Sequence, residues 1–496
     1  MVLIIDGHNY RFEIENICRL FLPRERITVT DKPGAYSDSP IIAVSCLTDN
    51  LHEWVLKTEL TFYKQKESVI ERVSKDNQDN EVDLELKLAV QLYNLFAKVL
   101  SFTLPWGAVT GVRPVKLMRK LIAQQGEREA IRWFCEELLV SREKTDFCLE
   151  TLQAENPILA LSRPNSFSLY ISIPFCPSRC DYCSFVSHTV ERAAKLIPEY
   201  VERLCREIEY TGEIARRLGL HLETVYMGGG TPTAINSEQL TRIFDAVKNS
   251  FDLSYLREYT VEAGRPDTVT EDKLVAIKNA GVTRISINPQ TLNDNVLAAI
   301  GRRHTAERFY QAFSLAREIG FGNINTDLIA GLPEDTYEGF NRSLDGIFSL
   351  SPESVTVHTL AMKRASNIVK NNREDYENGR QTVRMVDSSI SRLREQGYHP
   401  YYLYRQSRTL GGTENTGWSK PGYEGLYNVF IMDETHTILA CGAGGVTKLR
   451  RPGTEYIERI FNYKFPYEYN GRFADMIQRK GRVISFYETL FQKTQN

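Results

Sequence analysis

The rhythm of apolar and polar positions changes twice along the chain. Between about 167 and 359, short β-branched runs alternate with amphipathic stretches. Strands are predicted at 168–175, 224–228, 259–263, 284–287, 325–329 and 354–359, and helices at 192–217, 237–248, 270–279, 292–300, 305–319 and 336–349. Six strand–helix units in succession call for a parallel sheet with right-handed crossovers. An open doubly wound sheet and a partial or complete barrel all satisfy that pattern. Ahead of it, residues 2–6, 10–15, 26–30 and 41–48 read as short strands broken by Pro, Gly and Asp; 53–71 fits strand or helix; and the polar run 74–82 reads as a linker. From 83 to 160 the spacing turns helical, as in Leu86, Val90, Tyr93, Phe96 and Leu100. Further helices are predicted over 114–124, 127–140 and 142–155, with Trp106, Gly107, Gly111, Arg113 and Pro114 in a loop between helices. After 370 come a helix over 379–395, short strands and Gly-rich turns. The expected organisation is a β-rich region 1–75, a helical region 83–162, a six-unit α/β core 163–370 and a C-terminal domain 371–496.

Composition narrows the classes. The chain has 496 residues, 42% hydrophobic and 25% charged, which excludes wholesale disorder. Lys plus Arg number 61 against 63 Asp plus Glu, a formal charge of −2. Such a balance creates no global field for nucleic acid or anionic lipid, so no nucleic-acid partner is expected. No apolar run approaches the roughly 18 residues of a membrane span. The opening MVLIIDGHNY turns polar too soon for a signal peptide, so a cytoplasmic protein is expected. Nine cysteines are too sparse, and odd in number, for a disulfide scaffold.

Three of the nine fall within eight residues: Cys176, Cys180 and Cys183, spaced C-x3-C-x2-C directly after the first strand of the α/β core. Three readings are open. A structural zinc site wants four ligands, and His188 could be the fourth. Incidental thiols are a second. An iron–sulfur cluster on three thiolates is the third, and it would leave one iron open to a ligand. The carboxyl end of a strand is where α/β folds place their chemistry.

In that position, C-x3-C-x2-C resembles the radical S-adenosylmethionine (SAM) superfamily. The resemblance implies a radical-SAM-type partial (β/α)6 barrel with an N-terminal α+β extension and a C-terminal α+β domain. It also implies a [4Fe-4S] cluster on Cys176, Cys180 and Cys183. SAM bound to the open iron would be cleaved to a 5′-deoxyadenosyl radical. Tyr182 would pack on the adenine. The run Tyr226-Met-Gly-Gly-Gly-Thr-Pro-Thr233 resembles the superfamily's glycine motif for the SAM amino group. Tyr170-Ile-Ser-Ile-Pro-Phe-Cys176, Arg284-Ile-Ser-Ile-Asn-Pro-Gln290, Ile300-Gly-Arg-Arg-His-Thr305 and Asn325-Thr-Asp-Leu-Ile-Ala-Gly-Leu-Pro333 are similar to the oxygen-independent coproporphyrinogen III oxidase (coproporphyrinogen dehydrogenase) family. The long N-terminal region with its 111–114 loop (GVRP) resembles that family's HemZ-like branch.

Roles follow from the resemblance. Tyr170, Gly229, Gly230, Thr231 and Glu262 would contact the cluster-bound SAM. Gln290, Arg302 and Asp327 correspond to contacts with a second SAM, Arg302 by bidentate pairing with a carboxylate. Ala361 and Val446 match positions that touch SAM through backbone or apolar contact. The chain departs from the family pattern at Ser172 (usually His), Phe185 (often a fourth Cys) and Asn288-Pro-Gln290 (usually Gly-Val-Gln). The implied reaction is oxidative decarboxylation of two propionates of coproporphyrinogen III in porphyrin and haem biosynthesis, with an electron donor such as flavodoxin or ferredoxin. Arg303, Lys363, Arg364 and Arg405 are candidates for the substrate carboxylates. His304, His358 and His399 read as structural, and Cys441 as a buried small residue. Phe185 also fits a haem- or porphyrin-binding carrier on the same scaffold.

Overall fold

A computed structural model describes residues 1–32, 39–75, 83–183, 188–361 and 372–494. A five-stranded sheet comes first: β1 (Val2–Asp6), β2 (Thr28–Thr30), β3 (Ile41–Asp49), β4 (Glu53–Phe62) and β5 (Gln65–Ser74), in the order β2-β1-β3-β4-β5. The ambiguous 53–71 stretch resolves into the β4–β5 hairpin, whose register runs from Glu53↔Ser74 to Phe62↔Gln65. The strand expected at 10–15 is instead the start of the helix Arg11–Phe21. Ile14, Ile17, Cys18 and Phe21 recur every three or four residues and are all buried, a period that six residues are too few to display.

The helix Leu84–Leu100 packs on this same sheet. It is capped by Asp83, which accepts from the Leu86 N–H at 2.8 Å. Leu3, Ile14, Leu56, Leu60, Leu92 and Phe96 belong to one apolar cluster, so residues from both sides of the polar run 74–82 share a core. From Trp106 onward the helices Pro114–Gln125 and Arg142–Leu159 bury their apolar sides in the main core instead.

The main sheet has eleven strands. Six are those predicted: β6 (Ser166–Ile173), β9 (His221–Gly229), β10 (Glu258–Glu262), β11 (Arg284–Ser286), β12 (Ile324–Ala330) and β13 (Ser354–Thr359). They are parallel and adjacent in chain order. Between β6 and β9 lie the two-residue strands β7 (Phe175–Cys176) and β8 (His188–Thr189), which pair only with each other. The C-terminal region adds β14 (His399–Arg405) and β15 (Glu414–Ser419) beyond β13. It also adds β16 (Thr437–Cys441), β17 (Val446–Arg450) and β18 (Ile457–Phe461) beyond β6. The result is a partial (β/α)6 barrel extended at both edges.

β6 shows why the sequence makes this sheet. Covered on both faces, it can be apolar nearly throughout. Leu169, Ile171 and Ile173 are fully buried, each side chain contributing about 1.5–3 kcal/mol. Among the described residues, no helix is long and apolar enough to cross a membrane.

Candidate active site

The chain leaves β6 through Pro174 and enters the cysteine loop. That loop is fastened to the 300–305 segment: the Ser178 hydroxyl donates to the Gly301 carbonyl at 3.1 Å, and the Asp181 N–H to the Ile300 carbonyl at 3.2 Å. Cys180 is buried. Arg265 donates to its Sγ at 3.2 Å and to the Ser178 hydroxyl at 2.8 Å. Thr231 donates to Cys176 Sγ at 3.5 Å. A Cβ added at Gly230 would lie 3.0 Å from that sulfur and 2.6 Å from the Phe175 carbonyl oxygen, so only glycine permits this approach of strand ends.

Among the described residues no three or more His, Cys, Asp or Glu side chains close on a single metal ion. His188 does not join the cysteines in such a site; its ring packs edge-on against Phe465 and Tyr467. Three cysteines set around one loop, with Arg265 on Cys180, fit a multi-iron cluster, whose ligands stand further apart than those of one ion. Cys176, Cys180 and Cys183 would hold it, leaving one iron for SAM.

Beside the loop, the strand ends build a polar wall. The Tyr226 hydroxyl donates to Glu262 Oε1 at 2.6 Å, and a Cβ at Gly228 would meet that carboxylate at 2.9 Å. Burial pushes the Glu262 carboxyl up to about 7. The charge of Asp327 adds to this, while the Tyr226 bond, the Gly229 N–H and His358 oppose it. Asp327 accepts from Asn325 at 2.7 Å, and His358 Nε2 stands 3.6 Å from its other oxygen. Tyr170 stacks near Tyr226 and Tyr427, with ring centroids 6.3 and 6.4 Å away.

Gln290 is the strained residue of the wall. Its φ is 71°, a region costly to any side-chain-bearing residue, and two backbone bonds to β12 hold it there: its N–H donates to the Asp327 carbonyl and its own carbonyl accepts from the Ile329 N–H, both at 2.9 Å. Among the described residues its buried Oε1 has no partner. Arg302 donates to the Asn288 carbonyl at 2.8 Å and to the Tyr182 hydroxyl at 3.2 Å. Tyr182 in turn lies on an apolar cluster that includes Leu297, Ile329 and Leu360.

The cysteines, Tyr170, Tyr182, Gly229, Gly230, Thr231, Glu262, Gln290, Arg302 and Asp327 thus gather at the carboxyl ends of β6 and β9–β12. Gly229 has φ 111°, and a Cβ there would lie 3.0 Å from the Ser172 hydroxyl. Ala361 adjoins this group just past β13, bridged to Thr409. Val446 opens β17, paired with Phe461, and is placed by that pairing alone. Sequence reasoning missed Arg265, whose signal was a charged residue directly after the β10 strand end and Gly264. It also gave no role to Tyr402, Tyr404 or Tyr427, and took Tyr226 only as the first residue of the glycine motif.

The substrate candidates fare differently. Arg405 is 3% exposed, held by the Val109 and Gly412 carbonyls beneath Trp106, so structure as well as charge fixes it. Arg303 is exposed. Lys363, Arg364 and Phe185 lie outside the described residues. His399 pairs with Glu424 at 2.9 Å at the opposite end of β14. His304 is buried, and burial pushes its pKa down to about 3. Cys441 is buried, 3.3 Å from the Thr211 hydroxyl.

Residues 170–346 match the family model of the radical SAM superfamily. This is a radical SAM protein: its barrel carries the three-cysteine loop at the mouth, and the [4Fe-4S] cluster and SAM are its cofactors. The chain is 39% identical over 407 residues to the oxygen-independent coproporphyrinogen-III oxidase-like protein HemZ of Bacillus subtilis, covering 81% of this chain and 80% of that one. It is 33% identical over 313 residues to the haem chaperone HemW of the same organism, covering 60% and 77%. Among solved structures, the coproporphyrinogen III oxidase HemN of Escherichia coli matches with a TM-score of 0.48 and 23% identity, covering 66% and 73%. The chain belongs to the family of the oxygen-independent coproporphyrinogen-III oxidase-like proteins.

Proposed function

We propose that the protein is a cytoplasmic radical SAM oxidoreductase that converts coproporphyrinogen III to protoporphyrinogen IX without oxygen, in porphyrin and haem biosynthesis. The observation that carries this reading is the extent of the HemZ likeness. It runs over 81% of the chain, well beyond the barrel, whereas the HemW likeness covers 60%. The lumen supports it. Tyr170, Tyr226 and Tyr427 stack within 4.6–6.4 Å of one another, and Tyr402 stacks on Tyr404 at 6.3 Å, giving aromatic surfaces on which the individual pyrrole rings of a macrocycle can pack.

When bound, the cluster and SAM supply one-electron cleavage and hydrogen-atom abstraction. The protein's own groups bind and orient. Glu262, ionised, pairs with the SAM ammonium group or ribose; Gly229, Gly230 and Thr231 let its methionine end approach; Tyr182 covers the adenine. Gln290, Arg302 and Asp327 form the polar wall of a further subsite for a second SAM or for substrate, where the orphaned Oε1 of Gln290 awaits a donor. For each propionate, one β-hydrogen and one carbon dioxide leave, a vinyl group forms, and the remaining electron passes to an acceptor. A flavodoxin- or ferredoxin-type donor reduces the cluster.

A haem-carrier function is the second reading, favoured by the HemW likeness and by Ser172. Its hydroxyl is committed to the Ala443 carbonyl at 2.8 Å, so no titrating group stands where the oxidases commonly have His. Two parallel measurements separate them: anaerobic turnover of coproporphyrinogen III, and haem titration of the cluster-loaded protein. Vinyl products support the oxidoreductase. Tight haem binding with intact propionates overturns it in favour of the carrier.

A further inference from the structure

A cavity of about 580 Å³ opens at the end of β14, the edge strand two places beyond the last barrel strand, within the range of small-molecule sites. Its walls include Val112 and Arg113 from the 111–114 loop, Tyr404 and Arg405 from the end of β14, Arg408, and Met432 from the helix Leu426–Asp433. Strand direction fixes which end of the barrel it adjoins. β13 and β14 both pair antiparallel with β15, so they run the same way, and the end of β14 lies at the carboxyl end of β12 and β13. Tyr402 shares a row with Asp327 through Gly417 and Thr356. Tyr404, two residues on, faces the same side and stacks on Tyr402 at 6.3 Å. Two tyrosine rings therefore lead from the cavity to the polar wall of the active site.

Among the described residues that line the cavity are Arg113, Arg405 and Arg408, and none is a carboxylate. Arg405 gives its two terminal nitrogens to backbone carbonyls, and among the described residues its buried Nε has no partner. The nearby Glu414 is committed to Trp106 at 2.6 Å and to Lys144 at 2.7 Å. Burial lowers the pKa of Arg405 to about 10, against the opposing charge of Glu414. Arg113 pairs through Nη2 with Glu434 at 2.9 Å, but that carboxylate also faces Arg459 at 3.4 Å and Lys116 at 3.7 Å, and Arg113 Nε is likewise buried without a partner. Among the described residues, two guanidinium Nε donors are thus left unanswered on side chains that line the cavity, whose other walls mix Val112, Tyr404 and Met432 with the polar Gln406 and Ser407.

We propose that this cavity receives an ionised carboxylate of an amphiphilic aromatic polycarboxylate, anchored by Arg113 and Arg405 while Tyr404 and Met432 pack on the ring that carries it. The identity of that polycarboxylate rests on the porphyrinogen reading. The 111–114 loop, outside the six-unit barrel, then takes part in choosing the substrate. Guanidinium forks suit carboxylates, and an esterified side chain would forfeit the charge-assisted bonds.

The test uses the full chain, cluster-loaded and anaerobic, titrated with coproporphyrin III and with its tetramethyl ester while porphyrin fluorescence is followed. The tetraacid is expected to bind at least about tenfold tighter than the ester. Arg113→Gln is expected to abolish that difference while leaving ester and SAM affinities unchanged, and Arg113→Lys to keep part of it. Equal affinity of acid and ester for the unaltered protein overturns the proposal with no variant involved. Undiminished tetraacid binding by folded Arg113→Gln overturns it too. Failure of the decarboxylase reading is distinguishable. Acid-over-ester preference lost in Arg113→Gln, with no vinyl product from the unaltered protein, upholds the carboxylate site and sinks that reading. Turnover with binding untouched by Arg113→Gln does the reverse.

Discussion

Two buried polar regions flank β6, and they differ in how completely their groups are satisfied. On the β16 side, Glu207 is fully buried yet accepts from Lys480, from the Tyr469 hydroxyl and the Gly442 N–H at 2.7 Å each, and from Asn462 at 2.8 Å. Lys480 also donates to the Ala440 carbonyl at 2.7 Å. The contacts of Glu207, on the helix Ile197–Arg217, tie C-terminal elements to the barrel, and the Lys480 bond to Ala440 ties two of those elements to each other. On the barrel-mouth side, Gln290 leaves a buried polar atom unbonded among the described residues and is strained, and Glu262 holds a carboxyl near neutrality. A network complete in itself serves stability, while one that lacks partners is shaped for something that arrives. Burial alone would have ranked both regions alike.

The comparison can be broken most sharply at the cysteines. Cys180→Ala is expected to abolish cluster assembly and SAM cleavage, read by iron content and by 5′-deoxyadenosine under strong reductant, with little change in folding. Near-normal SAM cleavage would remove the basis for the mouth being the active site. On the complete side, Glu207→Ala strands the buried Lys480 charge and should cost about 3–5 kcal/mol in denaturant unfolding. A loss under about 1 kcal/mol would show that the network is not structural.

Gln290→Gly tests the incomplete side in the opposite sense. Relief of the left-handed backbone should stabilise the cofactor-free protein by about 1 kcal/mol, seen as a higher midpoint in urea, while affinity for the polar-wall ligand falls. Destabilisation instead would make Gln290 part of the scaffold. The smallest effect is a pH dependence. The Glu262 carboxyl titrates near 7 when folded, above its ordinary value of 4.5. Its contribution to stability is therefore present below about 4.5 and lost as pH rises through about 7. SAM affinity should run the other way, rising through that window as the carboxylate forms. Glu262→Gln should flatten both slopes, and an unchanged SAM profile would exclude Glu262 as the titrating contact.

Legibility in the sequence followed locality. The six barrel strands were readable because each is a short apolar run ended by Gly, Pro or a polar residue. The cysteine loop was readable because its spacing is local. The helix Arg11–Phe21 was not, since its first six residues look strand-like and only Ile17, Cys18 and Phe21 reveal the period. The sharing of one sheet by β14–β18 and the barrel was hidden, because pairing of β16 with β6 spans some 270 residues of chain. Arg265 and Arg405 show the same limit. Either could have been read as a surface charge, and only the fold sets one on Cys180 and locks the other beneath Trp106.

The most direct measurement follows the abstracted atom. Coproporphyrinogen III deuterated at the β-positions of its propionates is incubated anaerobically with cluster-loaded protein, SAM and reductant, and the products are weighed by mass spectrometry. Deuterium in 5′-deoxyadenosine, accompanied by vinyl-bearing porphyrin and absent with Cys180→Ala, is the expected result. 5′-Deoxyadenosine free of deuterium, with all four propionates intact, would contradict it.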